Sequence, residues 1–536
     1  MNIGLDNTLS VLAKTDNEAA LRVLVPALDS PHSSIQLGAL RALLQRRSPA
    51  GHQEILRRLH FMPSSWKSVI SEHRGRMLRT LRDAVLSSDA QRCSNACQAA
   101  VWFREYDVVP TLLNALGQRT QQQRELLAAT VLELVKALHT ELLQANSEPN
   151  RGRDPQIVRS HTVTALEASV EKFLIHERIE VIESFLLLTS RENPILGRLL
   201  TSQHHVAYSP VVSVLSEGQH PAIIRLLLSF LEDPHVPPSV LKVIAGRADL
   251  KFVQSLLRKI GRAPSRAVAQ NLKRIESIRW LRGSPAFYDQ LDDAAQHGVV
   301  RLVMASGIPR LQAFSTVEFI LMRGKPGGRR EAAEALKQFN GVEANALALR
   351  ALHDRDPQVQ ATIVGQLRRR SIPGVLSELV ELIDSPHALV RKAVRESLSE
   401  FHFNRYLGAF DILDEEVRQS TGALVMKIDP QATHLLRREM RCGARGRQQR
   451  ALAMAQAMDA VEQIEEDVID LLKDGDYLVR AEAASALGRS TTLRSELALS
   501  HVAKDSHPTV RQAAQRSLHE REEFSSWRAE FNDPRD

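Results

Sequence analysis

The stretch LLKDGDYLVRAEAASALGRS, residues 471–490, decides the fold of this chain. In this stretch Val479, Ala483 and Leu487 follow one another at intervals of four residues. This spacing puts all three on one face of an α-helix. A second apolar segment, Ile464–Leu472, comes just before them. The stretch therefore predicts two helices joined by a short polar turn, a helical hairpin with one apolar face.

The same hairpin recurs along the chain. The position of Val479 recurs as Ile35, Val158, Gly328, Val359, Val390 and Val510, and Leu follows eight residues later in every copy, at Leu43, Leu166, Leu336, Leu367, Leu398, Leu487 and Leu518. Several copies are 31 residues apart. One hairpin cannot bury its own apolar face, so neighbouring hairpins must stack. We predict an all-α fold, a continuous right-handed α-solenoid of about 14–17 hairpins with a period of about 31 residues.

The turn between the two helices carries a repeated tetrapeptide. Asp-Ser-Pro-His occurs at Asp29–His32 and Asp384–His387, and the variant Asp-Ser-His-Pro at Asp505–Pro508. We interpret the Asp as a cap of the second helix and the Pro as a residue of its first turn. We also expect the Arg that directly follows the aligned position, as Arg480 follows Val479, to pair with such an Asp and form a ladder along the stack. The structural repeat positions are Asp29, Asp384, Asp474, Asp505, Arg391, Arg480 and Arg511. On this interpretation Asp384→Ala lowers stability by about 0.5–2 kcal/mol.

The repeat resembles a known superfamily. The pattern Leu472-Lys-Asp474 followed by Val479-Arg480, Ala483 and Ala486-Leu487 is similar to the HEAT-repeat superfamily, in particular the short bacterial HEAT-like repeats of the bilin-lyase type. The match is strong over residues 325–520 and fair at 18–45 and 150–170. The resemblance implies a solenoid architecture, and because the superfamily includes scaffolds, adaptors and a few enzymes it leaves the function open.

Composition and charge narrow the class of protein. The 536 residues are 43% hydrophobic and only 4% aromatic, a composition that favours packed helices. Three cysteines are too few for a disulfide framework, which indicates a reducing compartment, and we predict a cytoplasmic location. We see no secretory signal and no apolar run long enough to cross a bilayer, so we expect no membrane insertion. The net charge of +7 is uneven: residues 451–536 carry −7 and residues 1–450 carry +14.

The predicted organisation has five segments. They are irregular N-terminal HEAT-like repeats at 1–144, a loop at 145–155, irregular helical repeats at 156–324, regular HEAT-like repeats at 325–521 and a C-terminal tail at 522–536.

The sequence shows no converging set of catalytic or metal-binding residues, and we predict no catalytic residue, metal or cofactor. His32, His235, His387 and His507 fall at turns of different repeats. Cys93 and Cys97 share a helical face but lack two further zinc ligands nearby. HEAT-like iron enzymes that hydroxylate a modified lysine carry His-Glu pairs in their second helices, and these positions here read Arg330-Glu331 and Ala481-Glu482. The length and the weak local match argue against a bilin lyase.

Basic residues supply the remaining functional signal. They lie in zones at 247–282 and 437–450 and at the end of one helix, and the candidate partner-binding residues are Arg258, Lys259, Arg262, Arg266, Lys273, Arg274, Arg368, Arg369, Arg370, Arg437, Arg438 and Arg441. We predict a non-enzymatic scaffold or adaptor for protein partners, acidic ones included. The alternatives are binding of a polyanion or nucleic acid through the two zones and a HEAT-type enzyme such as a bilin lyase-like protein. Cys442 lies among the arginines of the second zone, but no base that would make it a nucleophile can be identified.

Overall fold

All regular secondary structure in the described part of the chain is helical. The computed structural model describes residues 3–63, 65–73, 75–144, 154–261, 264–282 and 285–531. The predicted all-α solenoid is confirmed. The chain divides into two compact units, Met1–Thr316 and Val317–Asp536, described separately below.

The first unit contains twenty α-helices and the start of the next in its described residues. They are α1 Ile3–Lys14, α2 Leu21–Ala27, α3 Ser33–Arg46, α4 Pro49–Arg58, α5 Ser65–Ser71, α6 Leu78–Val85, α7 Ala90–Phe103, α8 Val109–Ala115, α9 Gln121–Gln144, α10 Pro155–Glu171, α11 Phe173–His176, α12 Ile179–Leu188, α13 Pro194–Thr201, α14 Tyr208–Glu217, α15 Pro221–Ser229, α16 Pro238–Gly246, α17 Leu250–Ile260, α18 Arg266–Lys273, α19 Ala286–Asp289, α20 Asp293–Ala305 and α21 Arg310–Arg323.

The second unit continues with thirteen further α-helices in the described residues. They are α22 Pro326–Ala335, α23 Val342–Ala351, α24 Pro357–Leu367, α25 Val375–Glu381, α26 Ala388–Ser397, α27 Phe403–Ala409, α28 Glu415–Ile428, α29 Ala432–Met440, α30 Arg445–Ala457, α31 Glu465–Leu471, α32 Tyr477–Leu487, α33 Leu493–Val502 and α34 Pro508–Phe531. Short 3₁₀ segments extend or link these helices at Glu18–Ala20, Leu59–Phe61, Tyr106–Val108, Leu116–Gln118, Phe230–Glu232, Arg279–Arg282, Leu336–Gln338, Arg368–Arg370, Leu382–Asp384, Ser399–Phe401, Phe410–Ile412 and Glu462–Ile464.

The apolar stripe of the sequence is the buried face of the second helices. Helices α24, α26, α32 and α34 each begin two residues before the aligned position. Val359, Val390, Val479 and Val510 are fully buried there. Eight residues later, Leu367 of α24, Leu398 directly after α26 and Leu487 of α32 are also fully buried, whereas Leu518 of α34 is half-buried. Burial of one such side chain contributes roughly 1.5–3 kcal/mol, so the stripe holds the hairpins together.

Within each unit the helices pack in two layers. In the second unit α22, α24 and α26 pack in succession, as do α28, α30, α32 and α34, while α29, α31 and α33 form the other layer. In the first unit α1, α3, α5, α7 and α9 follow one another in one layer and α2, α4, α6, α8 and α10 in the other. Each unit thus repeats the contact of a hairpin with the next one.

Glycine permits a close approach of α17 and α20 in the first unit. A Cβ atom at Gly298 of α20 would lie 2.4 Å from the carbonyl oxygen of Leu257 in α17. Contacts that short are forbidden to any larger residue, so the packing of α17 against α20 requires glycine at this position.

The predicted five-segment division remains a prediction. Most of the loop at 145–155 lies outside the described residues, which resume at Asp154. Helix α34 continues to Phe531, through most of the segment predicted as a tail, and residues 532–536 lie outside the described part. No helix in the described residues combines the length and the apolar character that a bilayer crossing requires.

Candidate functional site

The turn before helix α24 shows how two neighbouring repeats are joined. Arg329 of α22 donates from Nε to both carboxylate oxygens of Asp354, at 3.0 and 3.3 Å. Asp354 also accepts the backbone N–H of Asp356 at 2.7 Å, which closes the turn. Asp356 in turn caps α24 by accepting the N–H of Gln358 and receives Arg330 at 2.7 Å. Burial raises the pKa of Asp356, but the hydrogen bonds from Arg330 and the backbone outweigh it and the pKa is lowered.

The same arrangement joins the last two repeats. Arg480 of α32 forms a two-pronged pair with Asp505, from Nε to Oδ2 at 3.0 Å and from Nη2 to Oδ1 at 3.1 Å. Its third nitrogen donates to the carbonyl oxygen of Asp474 in its own turn, at 3.0 Å. The hydrogen bond from Arg480 lowers the pKa of Asp505. Asp474 accepts the N–H of Asp476 and the side-chain amide of Gln448 from the preceding repeat.

The other two predicted ladder arginines bond within their own turns. Arg391 donates to the carbonyl oxygen of Ser385 at 2.7 Å. Arg511 donates to the carbonyl oxygens of Asp505 and Ser506 at 2.8 and 2.9 Å. Among the described residues neither has an acidic partner, so the ladder of pairs is interrupted at these two repeats.

The capping role expected of Asp384 is wrong. Its carboxylate is exposed and accepts no hydrogen bond from any described residue, whereas Ser385, which is buried, accepts the N–H of His387 at 3.3 Å. Ser385 is five residues before Val390, the same offset as Asp505 before Val510. The tetrapeptide therefore carries Asp one residue too early to close the turn, and its Pro lies before the N-cap residue rather than in the first helical turn.

In the first unit Asp29 has a different partner. Arg58 of α4 donates to both of its oxygens at 2.8 and 2.9 Å, and the hydrogen bond lowers the pKa of Asp29. Arg58 also pairs with Glu54 of its own helix. As in the second tetrapeptide, it is the serine, Ser30, whose hydroxyl accepts the N–H of His32, at 3.2 Å.

The basic zone at 247–282 is partly neutralised. Arg258 pairs with Asp292 at 2.9 Å, and Lys259 pairs with Glu232. Arg274 donates to the carbonyl oxygen of Val236 and to Asn271. The exposed residues Arg266 and Lys273 have no side-chain partner among the described residues, and Arg262 lies outside them.

The three arginines at 368–370 divide in the same way. Arg368 pairs with Glu400. Arg370 donates to the carbonyl oxygens of Leu336 and Phe339 of the preceding repeat at 2.6 and 3.0 Å, and burial lowers its pKa. Arg369 is exposed, with no partner in the described part of the chain. Arg370 is thus a structural residue, and Arg369 keeps a free charge.

Carboxylates also neutralise most of the zone at 437–450. Arg437 and Arg441 both reach Asp467, at 3.1 and 2.6 Å. The remaining pairs are Arg445 with Asp476, Arg447 with Glu439 and Arg450 with Asp411. Arg438 is exposed and lacks a partner among the described residues. Since three of these acids come from neighbouring repeats, the zone mainly joins repeats.

The cysteines and histidines show no shared site. Cys93 and Cys97 are buried in α7, and the hydrogen bond between them, with burial, raises the pKa of Cys97. His507 stacks on the Tyr477 ring, with the two centroids 3.8 Å apart. In the described residues, no three His, Cys, Asp or Glu side chains are gathered in a way that would hold a metal ion.

Two open cavities, both in the first unit, were not predicted from the sequence. One, of about 440 Å³, lies between α9, α10, α12 and α15, with His139, Arg159 and Arg225 in its lining. The other, of about 700 Å³, is lined by Arg47, Gly75, Arg76, Leu78, Arg79, Arg82 and Asp83. Arg79 and Arg82 lie three residues apart on one face of α6, and Arg76 stands in the turn before it; the three-residue spacing of these arginines could have been read from the sequence.

Comparison with known proteins supports the repeat assignment. Residues 319–399 match the sequence model described as HEAT repeats, so the resemblance is confirmed for this segment. No curated protein matches the chain.

Three solved structures are distantly similar. A homology model of the full-length AP-3 complex is 11% identical over 96% of this chain and 94% of its own, with a TM-score of 0.37. The crystal structure of Kap121p is 10% identical over 97% of this chain and 57% of Kap121p, with a TM-score of 0.25. Human deoxyhypusine hydroxylase is 16% identical over 59% of this chain and 99% of the hydroxylase, with a TM-score of 0.17.

Proposed function

We propose that this chain is a non-enzymatic scaffold that holds protein partners on its stacked helical hairpins. One observation carries the proposal: side chains of the preceding repeat bond to the turn carboxylates Asp354, Asp474 and Asp505. Charged groups of the kind that catalysis uses are thus engaged in joining one repeat to the next. A stack joined in this way offers an extended, preformed surface, which suits recognition of another protein.

The partners that we propose include acidic proteins, and the proposed compartment is the cytoplasm. Arg266, Lys273, Arg369 and Arg438 keep exposed charges without a partner among the described residues. Three free cysteines, Cys93 and Cys97 among them, suit a reducing compartment.

Polyanion or nucleic-acid binding through the zones at 247–282 and 437–450 is less well supported. Carboxylates already hold Arg258, Lys259, Arg437 and Arg441, and a phosphate would have to displace them. A mobility-shift assay at about 50 mM and about 200 mM salt decides between the two functions, since phosphate contacts give a steep loss of affinity with salt.

The scaffold proposal is tested by co-purification of the tagged full chain from its native cells after mild crosslinking. We expect a stoichiometric protein partner whose crosslinks map to described helices. Elution of the chain alone contradicts the scaffold. A cofactor or metal retained at one equivalent, detected by mass spectrometry and metal analysis, contradicts its non-enzymatic character.

A further inference from the structure

The cavity of about 700 Å³ in the first unit is formed by two segments distant in sequence. Arg47 contributes from the end of α3, where it adopts a left-handed conformation with φ of 55°. Arg76, Arg79 and Arg82 contribute from the turn before α6 and from its exposed face. Four guanidinium groups therefore surround one open space.

Three of these four arginines have no acidic partner among the described residues. The side chains of Arg47, Arg76 and Arg79 make no hydrogen bond or ion pair with any described residue, whereas Arg82 donates to the carbonyl oxygen of Asp107 at 2.9 Å. One carboxylate, Asp83, is part of the lining. Elsewhere in the same unit, arginines such as Arg58 and Arg104 are bonded to acids.

The stability of the fold does not explain this placement. Arg76 and Arg79 lie at the amino-terminal end of α6, where the positive end of the helix dipole disfavours a cation. Guanidinium groups that share a small space also repel one another. The fold nevertheless fixes them: Gly75, with φ of 77°, donates its N–H to Glu105 at 2.7 Å and so holds the turn that presents Arg76.

We propose that this cavity binds an acidic segment of a partner protein, an inference that rests on the scaffold function proposed above. Guanidinium groups pair with carboxylates through two parallel hydrogen bonds, and several such groups side by side suit adjacent Asp or Glu residues. The volume lies within the range of ligand pockets. No residue of the described lining is aromatic, so the cavity has no platform on which nucleic-acid bases stack.

The test is fluorescence anisotropy of a labelled oligoglutamate peptide with the full chain. We expect salt-sensitive binding that an oligoserine peptide does not show. The double variant Arg76→Gln/Arg79→Gln should bind at least about tenfold more weakly, because both replaced groups are charge-assisted donors. The matched control, Arg22→Gln/Lys242→Gln, removes two exposed charges that have no side-chain partner among the described residues of the same unit, and it should change affinity less than about twofold. Circular dichroism checks that both variants remain folded.

Three results overturn the cavity proposal. The first is that the unaltered chain does not bind oligoglutamate. The second is that both double variants lose affinity for the peptide to the same extent. The third is that single-stranded DNA displaces the labelled peptide at a lower concentration of negative charges than unlabelled oligoglutamate does. The co-purification experiment separates this failure from that of the scaffold. If a partner is captured equally well by Arg76→Gln/Arg79→Gln, the scaffold stands and the cavity assignment fails; if no partner is captured, the scaffold itself fails.

Discussion

Replacing Arg480 by alanine should loosen the joint between the last two repeats by about 2–3 kcal/mol. The side chains of Arg480 and Asp505 are 15% and 14% exposed, so the pair is largely withdrawn from water. Alanine removes the two bonds to Asp505 and the third to the carbonyl oxygen of Asp474. Hydrogen bonds to charged groups contribute about 1.5–3 kcal/mol net in favourable cases, and loss of one partner leaves Asp505 poorly solvated.

The measurement must be local, because long repeat arrays do not unfold in one step. Native-state hydrogen exchange of amides in α32 and α34 reports the opening free energy of this joint. A cycle of Arg480→Ala, Asp505→Ala and the double variant should give a coupling of about 1–2 kcal/mol. Arg480→Lys should recover part of the loss, since it keeps the charge but lacks the fork.

The pH dependence gives a second check on the pair. Arg480 lowers the pKa of Asp505 below its ordinary value of 3.8 in the folded chain. The contribution is therefore complete above the unfolded pKa and disappears as the pH falls through the folded one. The difference between the unaltered chain and Arg480→Ala should shrink below about pH 4. A coupling under about 0.3 kcal/mol, or a difference that stays constant with pH, refutes the reasoning.

Three other predictions test the rest of the fold. Ser385→Ala should lower the opening free energy of α26, measured by native-state hydrogen exchange, by about 1 kcal/mol, while Asp384→Ala should change it by less than about 0.5 kcal/mol; the reverse order contradicts the corrected register. Burial lowers the pKa of His52 to about 4. As the pH falls from about 6.5 towards 4, the unfolded chain therefore takes up a proton on His52 that the folded chain does not, and the melting temperature should fall. His52→Gln should flatten this pH profile of thermal melting, and an unchanged profile excludes His52 as the cause. Gly298→Ala should lower the opening free energy of α20 in native-state hydrogen exchange by more than about 2 kcal/mol, because its Cβ would meet a carbonyl oxygen of α17. Gly365→Ala, with open space around it in α24, should be neutral or stabilising for α24 by the same measurement.

The helices and their buried stripe could be predicted because the signal repeats. Val359, Val390, Val479 and Val510 each begin a helix turn whose apolar positions recur every four residues, and each is buried. The separation of Arg480 from Asp505, 25 residues, equals that of Arg329 from Asp354, so even the pairing across repeats has a periodic trace in the sequence.

Two features escaped the sequence for physical reasons. Asp384 lies six residues before Val390, one more than the five residues between Asp505 and Val510 in the regular turn. Only the folded turn shows that the hydroxyl of Ser385 accepts the N–H of His387 in place of the Asp carboxylate. The arginine cavity joins Arg47 to Arg76 and Arg79 across two helices, and no spacing along the chain records that meeting. The free charge of the basic zones was overestimated because a sequence does not show which acids lie opposite.

The interrupted ladder has a mechanical consequence for the second unit. Arg480 clamps its turn to the next repeat, but Arg391 bonds only to its own turn among the described residues. The segment after α26 lacks the clamp that Arg480 supplies, and we expect its joint to open at a lower free energy than the joint between α32 and α34. If partners pull on the stack, this segment is then where we expect the repeats to tilt against each other.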